Sequence, residues 1–213
     1  MSLTRVRAAI ASKPAAVAAI LIGNLVPVFG VLFLGWDAAQ ILILYWTENV
    51  ILGLLTVPRL LAAGRARPGE AVFLAGFFTV HYGFFCAGHL LFALLLVSDF
   101  TDRGEPLVGI FDGVTGQDGF LWAVAAVAVL NIVTQVREWW LPGRWRTSDA
   151  RTEMFKPYGR IFVLHLTVLI GASVVLGLGA PAGAILVLCL LKTALELGLL
   201  GFSAFTREKA EAA

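Results

Sequence analysis

The sequence predicts an all-α membrane protein, a polytopic bundle of six transmembrane helices with both termini in the cytoplasm. Three observations predict it. Hydrophobic residues make up 59% of the 213-residue chain and charged residues 14%, with a mean hydropathy of +0.88. Soluble domains hold roughly 45–50% apolar and about 25% charged residues, so there is too little polar surface here to coat a water-soluble globule. The apolar residues gather into six runs, each near the ~20 residues that a helix needs to cross the hydrocarbon core. Finally, fourteen of the sixteen Lys and Arg fall on one side of those runs, which is the bias that orients membrane proteins with their basic loops inside. A soluble enzyme, a nucleic-acid binder and a disordered hub are excluded together. A β-barrel is excluded because the runs are continuously apolar instead of alternating every second residue.

The expected spans are residues 14–35, 38–63, 70–97, 118–140, 158–178 and 181–205, forming a single integral membrane domain over 1–213. The first run follows Arg5, Arg7 and Lys13 as a signal peptide would, but it is too long for one and five more spans follow, so it reads as a retained helix. Arg59, Arg65 and Arg67 mark the inner connection between the second and third spans. The outer connection, 98–117, carries Asp99, Asp102, Glu105 and Asp112 around a PLVGIF patch, and reads equally as a short interfacial helix or a solvated loop. The inner connection 137–160 interleaves Trp139, Trp140 and Trp145 with Arg144, Arg146 and Arg151, and also holds Arg137, Lys156 and Arg160. Aromatics seat at headgroup level and basic residues meet the negative inner leaflet, so this segment is expected to anchor on anionic lipids. Arg207 and Lys209 follow the last span, only Arg103 lies outside, and Lys192 is within the sixth span. Cys86 and Cys189 sit inside apolar runs, with no CxxC spacing to suggest a disulfide framework or a zinc ribbon. The expected partner is the bilayer of the bacterial inner membrane, with no nucleic acid; self-association is left open.

The functional signal is polar residues where lipid should be, since ionisable groups at membrane depth are costly and mark function. At about 1.5 Å per residue, Asn24, Glu48, His81, His89, Asn131, His165, Lys192 and Glu196 all fall within a slab roughly 12 Å thick at mid-bilayer. Each has a plain structural reading. Lys192 and Glu196, spaced i,i+4, can neutralise each other; Asn24 can satisfy backbone groups freed by Pro27; Asn131 and Gln135 can join helices. Glu48 has no cation within four residues, so its partner must come from another helix or it must be protonated. His81 and His89 lie about 12 Å apart along one helix, so only one of them can join Glu48 and His165. Gly83 and Gly88 between them would permit either a distortion or close helix packing. Two His and one carboxylate suit Zn, Mn or Fe with an open position. The expected metal ligands are therefore Glu48, His165 and His81 or His89, with Lys192 and Glu196 as catalytic groups and Asn24, Asn49 and Asn131 as supporting polar residues. No GxxxxGK[ST] loop or GxSxG elbow occurs, and no aspartyl dyad.

The motifs NLVPVFGVLFLGWD (24–37), YWTEN (45–49), HYGFFCAGH (81–89), GRIFVLHLTVLIG (159–171) and LLKTALEL (190–197) together resemble a family of bacterial and archaeal multi-pass membrane proteins catalogued only as a domain of unknown function. The resemblance covers most of the chain except the two long connections and the tails. It implies no activity, but puts Glu48, His81, His89 and His165 in the recognisable motifs. The leading expectation is a metal-dependent intramembrane enzyme, hydrolytic or redox. A transporter or proton-coupled carrier using the same residues as a relay is the alternative, followed by a b-type haem protein and a structural or assembly subunit.

Overall fold

The computed structural model describes residues 14–101, 107–178, 187 and 189–201, and among them it is all helical. Helix α1 is Pro14–Phe33, α2 Ala38–Ala63, α3 Pro68–Thr101, α4 Leu107–Thr115, α5 Phe120–Gln135 and α6 Ala150–Leu178; residues 189–201 form α7. Four helices, α1, α2, α3 and α5 with its extension to Trp140, are long and apolar enough to cross a membrane. Their outward faces carry large apolar side chains, Phe73, Phe84 and Trp122 among them, each at least 70% exposed. Contiguous apolar surface of this kind is what a bilayer covers. Both tails, Arg103 and the first residues of the sixth expected span lie outside the described residues.

Helix α2 is the axis. Five successive residues, Ile41 to Tyr45, are buried, so this stretch is enclosed all round, as only a central helix is. It packs on α3, α5 and α6. Its start is fixed by sequence: the Asp37 side chain accepts from the Ala39 amide at 2.7 Å while the Gln40 side chain accepts from the Asp37 amide at 2.8 Å, a reciprocal cap that satisfies otherwise orphaned donors. Ahead of it, Gly35 takes a left-handed φ of 67°, folding the chain so that Trp36 lies against Gly30, where a Cβ would collide with the indole. The Trp36 indole then donates to the Asp118 carbonyl at 3.1 Å, tying this end of α1 and α2 to the start of α5.

The two long connections resolve differently from a loop reading. Within 98–117, α4 is a nine-residue helix that buries Ile110 and Val114 and sets Phe111 edge-on to Trp46 of α2, 6.3 Å between centroids. Within 137–160, α5 continues as a π-turn, Val136–Trp140, a 3-10 turn follows at Arg144–Arg146, and α6 starts at Ala150, well before the expected span. Asp149 caps α6 by accepting from the Thr152 amide at 3.0 Å. The tryptophans here are not uniform headgroup anchors. Trp139 is buried, under the guanidinium of Arg59 at 5.1 Å, and Trp145 lies between Arg65 and Arg146, 4.7 and 4.5 Å from its ring centre. Beside them Glu153, fully buried, pairs with Arg59 and Lys156. The segment is folded onto the bundle because its aromatic rings find cations in the protein. Helix α3 runs unbroken through Gly83 and Gly88, and neither glycine has a described atom near where a Cβ would stand. Among the described residues they serve neither distortion nor close packing.

Candidate functional site

The polar residues of the slab separate into two groups. The first is an ion network built from four helices. Helix α7 contributes Lys192 and Glu196 from successive turns of one face, α2 contributes Glu48, α6 Arg160 and α1 Asn24. The Lys192 ammonium lies 2.9 Å from Glu48 Oε2, 3.1 Å from Glu196 Oε1 and 3.4 Å from Asn24 Oδ1, so its three donors are matched by three acceptors. The Arg160 guanidinium lies 2.5 Å from Glu48 Oε1 and 3.1 Å from Glu196 Oε1. Asn24 donates to Glu196 Oε2 and to the Ile20 carbonyl, both at 2.9 Å. Two carboxylates thus face two cations, and the cluster is formally neutral. Isolated charges at this depth would be prohibitively costly, whereas a closed, hydrogen-bonded set is tolerated. Lys192 also stands 4.4 Å over the ring of Tyr45, whose hydroxyl donates to Cys189 Sγ at 3.2 Å. Asn131 of α5 neighbours the Glu48 carboxylate and also donates to the Val127 carbonyl at 2.9 Å; Gln135 stitches α5 to α2 through the Leu55 carbonyl at 3.0 Å.

The second group is the histidines, on the seam between α3 and α6. His89 and His165 meet ring to ring, with centroids 4.1 Å apart and nearly perpendicular planes. His89 Nδ1 is 3.0 Å from the Phe85 carbonyl; a carbonyl only accepts, so Nδ1 carries the proton, and His89 Nε2 is left to accept from His165 Nδ1. His165 Nε2 is then the free basic nitrogen of the pair. His81 turns elsewhere, sharing a 2.7 Å hydrogen bond with the Tyr158 hydroxyl and stacking on Phe77.

The expected sites are therefore brought together in part and rearranged. Glu48 does find its partner on other helices, and the partner is Lys192 with Arg160. Lys192 and Glu196 share a face, but each also reaches Asn24, and Lys192 reaches Glu48. Of the two helix-3 histidines it is His89, not His81, that joins His165. Asn24 belongs to the ion network and bonds Ile20, so relief of the Pro27 kink is not its main task. Asn49 stays outside the network, its amide turned back on the Tyr45 carbonyl at 2.9 Å. Among the described residues no three His, Cys, Asp or Glu gather as a metal-holding set. The residue missed from sequence is Arg160, counted with the cytoplasmic connection. The available signal was charge balance at mid-span: the two acids there, Glu48 and Glu196, stood against one cation, Lys192, and Arg160 is the basic residue at the start of the neighbouring apolar run.

The chain belongs to a family of unknown function, DUF6498, whose model matches residues 6–213. No curated protein and no solved structure matches it.

Proposed function

We propose that this member of the family is a proton-coupled carrier of the cell membrane, with six spans and both termini in the cytoplasm. The observation that carries the reading is the neutral network of Glu48, Glu196, Lys192 and Arg160, whose charges come from three helices and are bound to a fourth through Asn24. Such a set holds its charge balance only while every member keeps its protonation state. A proton taken by either carboxylate leaves one positive charge to be matched, so protonation and occupancy by a solute are linked. A second feature supports movement around the site. Helices α1, α2 and α6, which supply Asn24, Glu48 and Arg160, each contain an internal proline, Pro27, Pro58 and Pro157. Proline interrupts the backbone ladder, and interrupted helices around a midplane site are a recurring feature of carriers. The basic-residue split supports the orientation, and it stands even with Arg160 assigned to the network.

The test is solute-driven proton movement in proteoliposomes with a trapped pH dye, challenged with sodium lactate, sodium phosphate and potassium chloride in turn. Movement with at least one solute, lost in Glu48→Gln, is expected. Its absence with all of them would refute the carrier.

A metal-dependent intramembrane enzyme, hydrolytic or redox, is the second reading. It is favoured by the meeting of His89 and His165, two of the ligands expected from sequence. Their rings offer two nitrogen donors to a divalent Zn, Mn or Fe that a third donor would complete; a b-type haem between the α3 and α6 histidines would first require the two rings, 4.1 Å apart, to separate. Metal analysis and an absorption spectrum of the purified protein separate these. Stoichiometric metal lost in both His89→Ala and His165→Ala would promote the enzyme, and a Soret band lost in the same variants would promote the haem.

A further inference from the structure

The two carboxylates of the network are not held alike, and the difference bears on what the carrier would carry. Glu196 is held by three donors from three helices: Asn24 on Oε2 at 2.9 Å, with Lys192 and Arg160 both at 3.1 Å on Oε1. Glu48 also has three donors, Arg160, Lys192 and the Asn131 amide, but its cations are split one to each oxygen, Arg160 at 2.5 Å on Oε1 and Lys192 at 2.9 Å on Oε2. Its side chain is also the more exposed of the two, 12% against 6%. Glu48 thus bridges a guanidinium and an ammonium with its two oxygens, the way a free carboxylate would lie between them.

Resting on the carrier reading, we propose that Glu48 is a resident stand-in for the substrate and that the site takes a small monocarboxylate together with one proton. A proton entering from water adds to a Glu48 oxygen and makes it a neutral acid. Glu196, Arg160 and Lys192 then sum to one positive charge. The substrate carboxylate takes the place between Arg160 Nη2 and Lys192 Nζ that Glu48 gives up, and the set is neutral again. No covalent bond forms; release of the substrate returns the proton to water and Glu48 to its cations. One proton moves with one anion, so the step is electroneutral. A cationic solute would meet Arg160 and Lys192 with their counter-charge weakened, and a dianionic phosphate would leave the set negative. The groups facing Glu48 are Lys192 and Glu196 of α7, Arg160 of α6, Tyr45 of α2, Tyr82 of α3 and Asn131 of α5.

Glu48→Gln mimics the protonated state and supplies the test. Lactate is the probe, its binding to the full chain in detergent measured by calorimetry at mildly acid and mildly alkaline pH. Wild-type affinity is expected to fall about tenfold per pH unit above the titration of Glu48, as one linked proton requires, whereas Glu48→Gln binds equally at both. Adding Lys192→Met to Glu48→Gln removes one cation and is expected to abolish binding. Lactate affinity in wild type that ignores pH, no lactate binding by either wild type or a folded Glu48→Gln, or tighter binding of inorganic phosphate than of lactate would overturn the proposal. The proteoliposome assay keeps the two ideas apart. Proton movement with potassium chloride or phosphate but none with lactate sinks the monocarboxylate and leaves the carrier. Lactate binding by Glu48→Gln with no proton movement under any solute supports the site and sinks the carrier.

Discussion

Replacing Lys192 with methionine removes one charge from the network while keeping the length and apolar stem of the side chain. Lys192 is among the most buried polar residues, 4% exposed, and its ammonium is matched by Glu48, Glu196 and Asn24. Lys192→Met leaves two carboxylates against Arg160 alone, one negative charge without a partner in a poorly polarisable interior. Breaking a buried pair in this way costs about 3–5 kcal/mol, which for a chain of this size is roughly 6–20 °C in Tm. Two features make the expectation specific to the network. The cost should shrink as pH falls, because a proton on either carboxylate replaces the lost ammonium charge. It should also shrink when Glu48→Gln is added, since the introduced amide is neutral and Arg160 and Glu196 then balance each other. The double variant is therefore expected to melt above Lys192→Met, a non-additivity that only interacting groups produce. Thermal unfolding in mild detergent across a pH series measures all three quantities. A Lys192→Met protein that melts with wild type at alkaline pH, or a double variant less stable than the single, would refute the placing of Lys192 between two ionised carboxylates.

In the first turn of α6, burial raises the Glu153 carboxyl, yet Lys156 and Arg59 outweigh it and hold it below the ordinary value of 4.5. A depressed folded value contributes stability that is complete above the unfolded value and lost as pH falls through the folded one. Glu153→Gln should therefore cost about 1–3 kcal/mol at neutral pH, Lys156 being half exposed, and should flatten the loss of stability below about pH 4.5; acid titration of Tm in both proteins checks it. Gly30→Ala should destabilise by about 1–3 kcal/mol because the Trp36 ring occupies the new methyl's place. Gly83→Ala, with open space around it, should instead gain about 0.5–1 kcal/mol, and the opposite order of melting temperatures would contradict the packing. Reporter fusions after Arg67, Asp112 and Arg151 should read inside, outside and inside; a protected fusion at Asp112 would overturn the orientation.

Four of the expected spans were legible as helices and the site only half so, and the reason is the range over which each signal acts. A helix crossing lipid is specified by its own residues, because every backbone group must be satisfied within the segment and every outward side chain must be apolar. Residues 38–63 could be delimited from sequence for that reason: Asp37 with Gln40 begins the helix, the run after it is apolar, and Gly64 ends it. The partner of Glu48 is specified by nothing local, since Lys192 lies 144 residues away and Arg160 112. Depth narrows the choice of partner, but residues at one depth can still point in any direction around the bundle. Thus His81 and His89 were both candidates, His81 slightly the favoured one, until the rotation of α3 set His81 against Tyr158 and His89 against His165. A count of charge acts at no particular range, and it is the one rule that would have found Arg160: where the interior must be neutral, every mid-span acid without a cation points to a basic residue that reaches in from the edge of a span. Trp139 obeys the same logic in reverse. Its neighbours in the sequence look like an interfacial belt, but Arg59, eighty residues earlier, supplies a cation under which the ring can be buried. A long-range pairing of this kind outweighs the local preference of the residue for the headgroup layer.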